Sequence, residues 1–309
     1  MRKHVSRTLI GVAAVSALLL TGCSGGGGGA DSGKPNLPKG DEVSTKVDPS
    51  LKKLLPEDIQ KKGSIDIAVD IPFPPLSAYD ANNREIGFDP ELGRLLGQKL
   101  GVDVVLSKQA FDSVIPSMQA KKHDIIMSGM NDTPEREQTI TYVDYTHGGF
   151  AILVKPGNPK KITGQSALCG KTVSVQKSTI QGELLRATKC SGAPVTVMEL
   201  PTDLDALTAL RAGKSDAYSA DAVVADYVAA TTDDGKAYEI VRDPENPAGF
   251  NPVYSGIGVL KSNTQLVDAM QKTLQALIDD GSYQKVLERN HMEAYGVKTA
   301  EVNQGGKTQ

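Results

Sequence analysis

The sequence predicts an α/β fold, and three features predict it. Short apolar runs alternate with stretches in which leucines recur at helical spacing. Acidic and aromatic residues fall just after the apolar runs. Turn-rich breaks at 155–159 and 242–252 divide the pattern in two. The candidate strands are 65–69, 102–106, 124–127, 150–154, 171–175, 195–200, 217–219 and 255–260. Between them Leu92, Leu95, Leu96 and Leu100 form one helical stripe, Leu204, Leu207 and Leu210 a second, and Leu266, Met270, Leu274 and Leu277 a third. These stripes are core. Open sheets of this class hold ligands beyond the carboxyl ends of their strands, so the residues after each strand are the ones to inspect.

Before the first strand, Arg2, Lys3 and Arg7 precede an apolar run from Leu9 to Leu20. That run is about a dozen residues, short of the roughly twenty that span a bilayer, and reads as a secretion signal over 1–22. Leu20-Thr21-Gly22-Cys23 resembles a lipoprotein processing site, which implies a lipidated Cys23 and an extracytoplasmic chain anchored to the cell membrane. Residues 23–47, rich in glycine, lysine and proline, read as a flexible tether. Asp48 and Pro49 cap a short helix that opens the folded part, and 298–309 is polar enough to fray.

The whole chain carries a formal charge of −3, falling to about −6 without the signal, and no basic patch suggests nucleic acid. Its four histidines are scattered, so no metal site is expected, and no cofactor is implied. Cys169 and Cys190 remain as an even pair in an oxidising compartment. They are read as a disulfide, which would stabilise by about 3 kcal/mol for a loop of about twenty residues; the alternative is two buried thiols.

After the first strand come Asp70 and Phe73 on a proline-rich turn, and after the second Phe111 and Asp112 before a helix holding Val114, Ile115 and Met118. After the third, Ser128-Gly129-Met130-Asn131 leads to Thr133-Pro134-Glu135-Arg136, where Thr133 caps an expected helix and Arg136 falls in its first turn. A guanidinium at such a place can grip a carboxylate with two hydrogen bonds. Gln176 to Gln181 follows the fifth strand, with Gln181 three after Ser178 in capping-box spacing, and Asp221 follows the strand at 217. Locally, Phe73 and Phe111 could be core, Asp70 and Asp221 caps, and Arg136 a surface ion-pair partner. Together they supply an anion socket, an ammonium acceptor and apolar walls.

The chain resembles the family 3 extracellular solute-binding proteins of polar amino acid ABC importers. The resemblance rests on Gly87-Phe88-Asp89-Pro90-Glu91-Leu92, Phe111-Asp112-Ser113-Val114-Ile115-Pro116, Thr133-Pro134-Glu135-Arg136, Gly213-Lys214-Ser215-Asp216-Ala217 and Asp280-Gly281-Ser282-Tyr283, in the family's order from about Leu54 to Tyr295. It implies a two-lobed type II periplasmic-binding-protein fold. Lobe I would comprise 48–154 and 255–297, lobe II 155–254, with hinge strands near 150–154 and 255–260 and the ligand between the lobes. Arg136 would clamp the ligand α-carboxylate beside Gly129 and Asn131, and Asp221 would take the α-ammonium. Phe73 and Phe111 would sandwich the side chain, with Asp70 at its polar end and Gln176 contributing. Thr179 and the Ile180 amide would close on the carboxylate. Asn131, Ser178 and Ile180 depart from the family's usual serine or threonine, glycine and threonine.

The implied function is capture of a polar, basic or amide-bearing amino acid by a monomer that delivers it to a permease and its ATPase, without chemistry of its own. A signalling receptor would need the same features. A dehydratase resembling the cyclohexadienyl enzymes of this fold is the enzymatic alternative, with Asp70 as its carboxylate.

Overall fold

The computed structural model describes residues 37–38 and 41–305. The expected signal, Cys23 and most of the tether lie outside them. In chain order the elements are α1 (Pro49–Lys52), α2 (Glu57–Lys62), β1 (Ser64–Val69), β2 (Ala78–Tyr79), β3 (Glu85–Ile86), α3 (Phe88–Leu100), β4 (Asp103–Lys108), α4 (Val114–Gln119), β5 (Ile125–Ile126) and β6 (Ile140–Val154). There follow β7 (Thr172–Gln176), α5 (Ile180–Ala187), β8 (Thr196–Leu200), α6 (Asp203–Arg211), β9 (Ala217–Asp221), α7 (Ala222–Thr231), β10 (Glu239–Val241), β11 (Phe250–Leu260), α8 (Thr264–Asp279) and α9 (Ser282–Arg289).

Nine strands form one sheet, eight in the order β4-β1-β5-β11-β6-β9-β7-β8 and β10 beside β6 off that path. Two parallel sets, β4-β1-β5 and β8-β7-β9, flank the long antiparallel pair β6 and β11. β11 returns from the second set to the first, pairing Gly258 with Ile126 and Val259 with Ile125. Both β6 and β11 therefore run through the whole sheet, with register shifts between Phe250 and Val253 and between Ser255 and Gly256. All three leucine stripes face the core except Leu204, which is 56% exposed at the start of α6. Phe88 on α3 packs edge-on against Tyr145 and Tyr283, joining α3, β6 and α9.

Three expectations about local structure are corrected. No α-helix starts at Thr133: Arg136–Gln138 form a single 3-10 turn, because β6 begins at Ile140 and leaves no room for more. The Thr133 hydroxyl still accepts the Arg136 amide at 3.3 Å. The tether is fixed from Glu42 onward, where Glu42 pairs with Arg84 and Arg94, the Val43 amide donates to Glu91 and the Thr45 amide to Gln98. The tail is ordered to Gly305: Val302 bridges Val143, and the Gln304 and Gly305 amides donate to Asp144 and Asp132. Those two carboxylates are buried, and the tail amides satisfy one oxygen of each.

Cys169 and Cys190 form a disulfide with a Cα–Cα distance of 5.7 Å. It ties the residue after the 3-10 turn Gln165–Leu168 to the loop between α5 and β8, enclosing β7 and α5.

Candidate functional site

Six parallel strands send the residues that follow them to one cleft. From the first set, β1 leads into Asp70 and a turn with cis Ile71–Pro72 and Pro74–Pro75 bonds, β4 into a 3-10 turn at Phe111–Ser113, and β5 into Ser128–Asn131. From the second, β7 ends at Gln176, Asp203 lies three residues past the end of β8, and β9 ends at Asp221. The narrow cleft between them is lined by Phe73, Phe111, Gly129, Asn131, Gln176, Thr179, Gln181, Asp203, Ser219, Ala220 and Asp221.

Most of the residues chosen from sequence converge here. Phe73 and Phe111 are buried but contribute to the cleft wall, so their role as wall does not exclude their role as core. Arg136, on its 3-10 turn, does not itself line that space but touches Asn131 and Phe111, which do. Its Nη1 donates to the Asn131 carbonyl at 2.8 Å and its Nη2 to the Ser178 carbonyl at 3.0 Å, and its guanidinium carbon sits 5.6 Å from the Phe111 ring centroid. Its partners are backbone carbonyls and a ring face, and no carboxylate lies within ion-pair distance of it among the described residues. The surface ion-pair alternative therefore has no partner here.

Asp221 occupies the N-cap position of α7 yet makes no capping bond. Its Oδ1 instead accepts from Asn131 Nδ2 and Gln181 Nε2, both at 3.3 Å. Burial pushes its carboxyl up to about 6, against the Asn131 hydrogen bond and the Arg136 charge, which pull it down. Asp70 is buried, and burial raises its pKa although Gln176 Nε2 donates to its Oδ2 at 2.8 Å. It therefore stands behind Gln176, which lines the cleft.

Gly129 contributes by close approach. It has φ of +57°, and a Cβ there would lie 2.7 Å from Leu76 Cδ1 and 3.2 Å from the Phe73 ring. Its amide donates to Asp89 and Tyr145, away from a ligand. The second-set loop departs from expectation in two ways. Ser178 does not cap α5: its φ is +63°, the left-handed region where glycine costs nothing, which explains why glycine is usual there. Thr179 takes the N-cap position, but its hydroxyl donates to the Gln176 carbonyl at 2.7 Å. Ile180 packs its side chain with Phe150 and Val253 and does not line the cleft, and its first-turn amide has no intrahelical partner.

The two strand sets are joined across the cleft by four polar contacts: Gln176 to Asp70, Arg136 to the Ser178 carbonyl, Asn131 to Asp221, and a Lys177–Asp112 ion pair at 2.6 Å.

Sequence reasoning missed Gln181, Asp203, Ser219 and Ala220 as lining residues. Gln181 was read only as a capping partner. Asp203 follows β8, the one parallel strand whose succeeding residues were not inspected, and the same rule that found Asp221 would have found it.

One guanidinium with free hydrogen-bonding directions, acids on the opposite set, aromatic walls and hydroxyl and amide groups make a cleft suited to a small zwitterion. Fold and site together define a ligand-binding cleft between two converging sets of parallel strands.

Residues 65–293 match the bacterial extracellular solute-binding proteins, family 3, and the chain belongs to that family. It is 29% identical over 245 residues to the arginine-binding protein ArgT of Corynebacterium glutamicum, covering 77% of this chain and 78% of that protein. Among solved structures it resembles an ancestral arginine-binding protein bound to arginine, at 31% identity and a TM-score of 0.66, covering 74% of this chain and 98% of the other. It also resembles the P235GK mutant of ArgBP from T. maritima, at 27% identity and a TM-score of 0.69, covering 76% and 98%. The periplasmic-binding-protein fold expected from the resemblance is thereby established.

Proposed function

We propose that this protein captures a basic amino acid, arginine foremost, in the cleft between two closing lobes and delivers it to an ABC importer while anchored to the membrane through lipid on Cys23. The observation that carries the ligand class is the charge balance of the cleft. Arg136 matches an α-carboxylate and Asp221 an α-ammonium, leaving Asp70 and Asp203 as further acids. Burial raises the pKa of both acids, so a neutral side chain would favour their protonated forms, whereas a cationic one is matched by their ionised forms. The arginine-binding proteins to which the chain is similar support the same reading.

In this account Arg136 exchanges the Ser178 carbonyl for the ligand carboxylate, with the first-turn amides of α5 adding donors from the other lobe. Phe73 and Phe111 cover the aliphatic part of the side chain, and Gln176 and Asp70 receive polar groups beyond it. The paired strands β6 and β11 are the hinge, since both cross between the parallel sets and carry the register shifts.

A thermal-shift and calorimetric screen of the twenty amino acids and ornithine tests this. Arginine, lysine and ornithine should raise the melting temperature in a dose-dependent way, and aspartate and glutamate should not. If no α-amino acid shifts it, the proposal fails. Loss of labelled arginine uptake on gene deletion separates import from sensing, and release of a Cys23→Ala chain from membranes tests the anchor.

A further inference from the structure

We infer that Asp203, assisted by Gln181, is the determinant by which the second set of strands selects a cationic, guanidinium-bearing side chain. This rests on the amino-acid-binding reading above and deepens it.

Asp203 is the first residue of α6 and only 6% exposed, yet it lines the cleft. The hydroxyl of the fully buried Tyr218, on β9, donates to its Oδ1. That bond fixes the carboxylate in one orientation, and Oδ2 has no hydrogen-bond partner among the described residues. The main-chain frame is equally fixed: Thr202 caps α6 by accepting the Asp205 amide, so Asp203 is not itself needed as the cap. The second oxygen is thereby left open to a donor that enters the cleft.

Gln181 supplies the second acceptor. It is 4% exposed, its Nε2 is committed to Asp221, and its Oε1 is buried without a partner. Both open oxygens belong to residues lining one cleft, and both accept when Asp203 is ionised. Their complement is therefore a group with several N–H donors and positive charge. The α-ammonium is already matched by Asp221, so the group must come from the ligand side chain. A guanidinium has five donors in a fixed plane, against three on an ammonium, and can serve Asp203, Gln181 and the Gln176 and Asp70 pair together. Burial pushes the Asp203 carboxyl up to about 7 against the Tyr218 hydrogen bond, the charges of Asp221 and Asp70 adding to the rise, so a cation bound beside it would favour its ionised form.

The test compares arginine with citrulline, its neutral isostere, by calorimetry on the full-length protein and on Asp203→Asn. Asparagine preserves the volume and can still accept from Tyr218. Wild type should prefer arginine, and Asp203→Asn should lose at least about thirtyfold in arginine affinity with little change for citrulline. Tyr218→Phe, which leaves the acid but frees its orientation, should give a smaller loss in the same direction. An unchanged arginine-to-citrulline ratio in Asp203→Asn, with a melting temperature at or above wild type, would overturn the inference while leaving amino acid binding intact. If wild type binds no α-amino acid, the inference falls with the reading beneath it.

Discussion

Replacing Asp221 by asparagine separates binding from stability. In the free protein burial raises this carboxyl from 3.8 to about 6. A rise of roughly 2 pKa units means that the ionised form costs the native state about 3 kcal/mol. Because the native protein holds this proton more tightly than the unfolded chain, the cost is absent below about pH 4, grows between about 4 and 6, and is constant above that. Asparagine keeps an oxygen that can accept from Asn131 and Gln181 but adds an amide that needs a new partner, so about 1–3 kcal/mol should be recovered at pH 8. At about 2–4 °C per kcal/mol, the melting temperature of the free variant should rise by about 2–12 °C at pH 8 and hardly at pH 4. Arginine affinity should fall at least about thirtyfold, since the α-ammonium loses its charged partner. In wild type, affinity should decline as pH drops below about 6, where Asp221 takes up its proton. Scanning calorimetry and isothermal titration on the same samples measure both effects. A melting temperature that falls at pH 8, or an arginine affinity within threefold of wild type, would refute the reasoning.

Other substitutions probe the frame around the site. Ser178→Gly removes a side chain from a residue with φ of +63° and should stabilise by about 1 kcal/mol in a denaturant titration, with arginine affinity unchanged because Arg136 uses the Ser178 carbonyl. Gly129→Ala should destabilise by about 1–3 kcal/mol and weaken binding, since its Cβ would meet Leu76 and Phe73 at the cleft wall. Replacing Cys169 and Cys190 by serine should cost about 3 kcal/mol in chemical denaturation yet leave affinity within about threefold, because neither lines the cleft.

Much of the architecture was legible because its signals are local. The leucine stripes of α3, α6 and α8 and the apolar runs of β1, β4, β7 and β8 each fit within a dozen residues. β6 was seen only in its last third. Its earlier residues include the buried Asp144 and the Gly148-Gly149 pair, which read as polar turn and conceal a strand whose partners, β11 and the tail, lie more than a hundred residues away. The Arg136 turn was misread for a similar reason: Thr133 and Pro134 are honest helix-start residues, and only the nearby start of β6 cuts the helix short. The tail was judged by its own polarity, but its order comes from buried carboxylates elsewhere.

The site was legible where a residue follows a strand directly, as with Asp70, Phe111, Gln176 and Asp221. It was less so where orientation decides the role. Nothing in the sequence shows that the Gly129 amide turns toward Asp89, or that Ile180 buries its side chain beside Phe150.

The central claim is that Arg136 holds the group all α-amino acids share. Isothermal titration of wild type and Arg136→Ala with arginine and with agmatine, which lacks the carboxylate, tests it most directly. Arg136→Ala should lose at least about a hundredfold for arginine, wild type should bind agmatine as weakly as the variant does, and the variant should treat the two ligands alike. Retention by Arg136→Ala of a strong preference for arginine over agmatine would contradict the account.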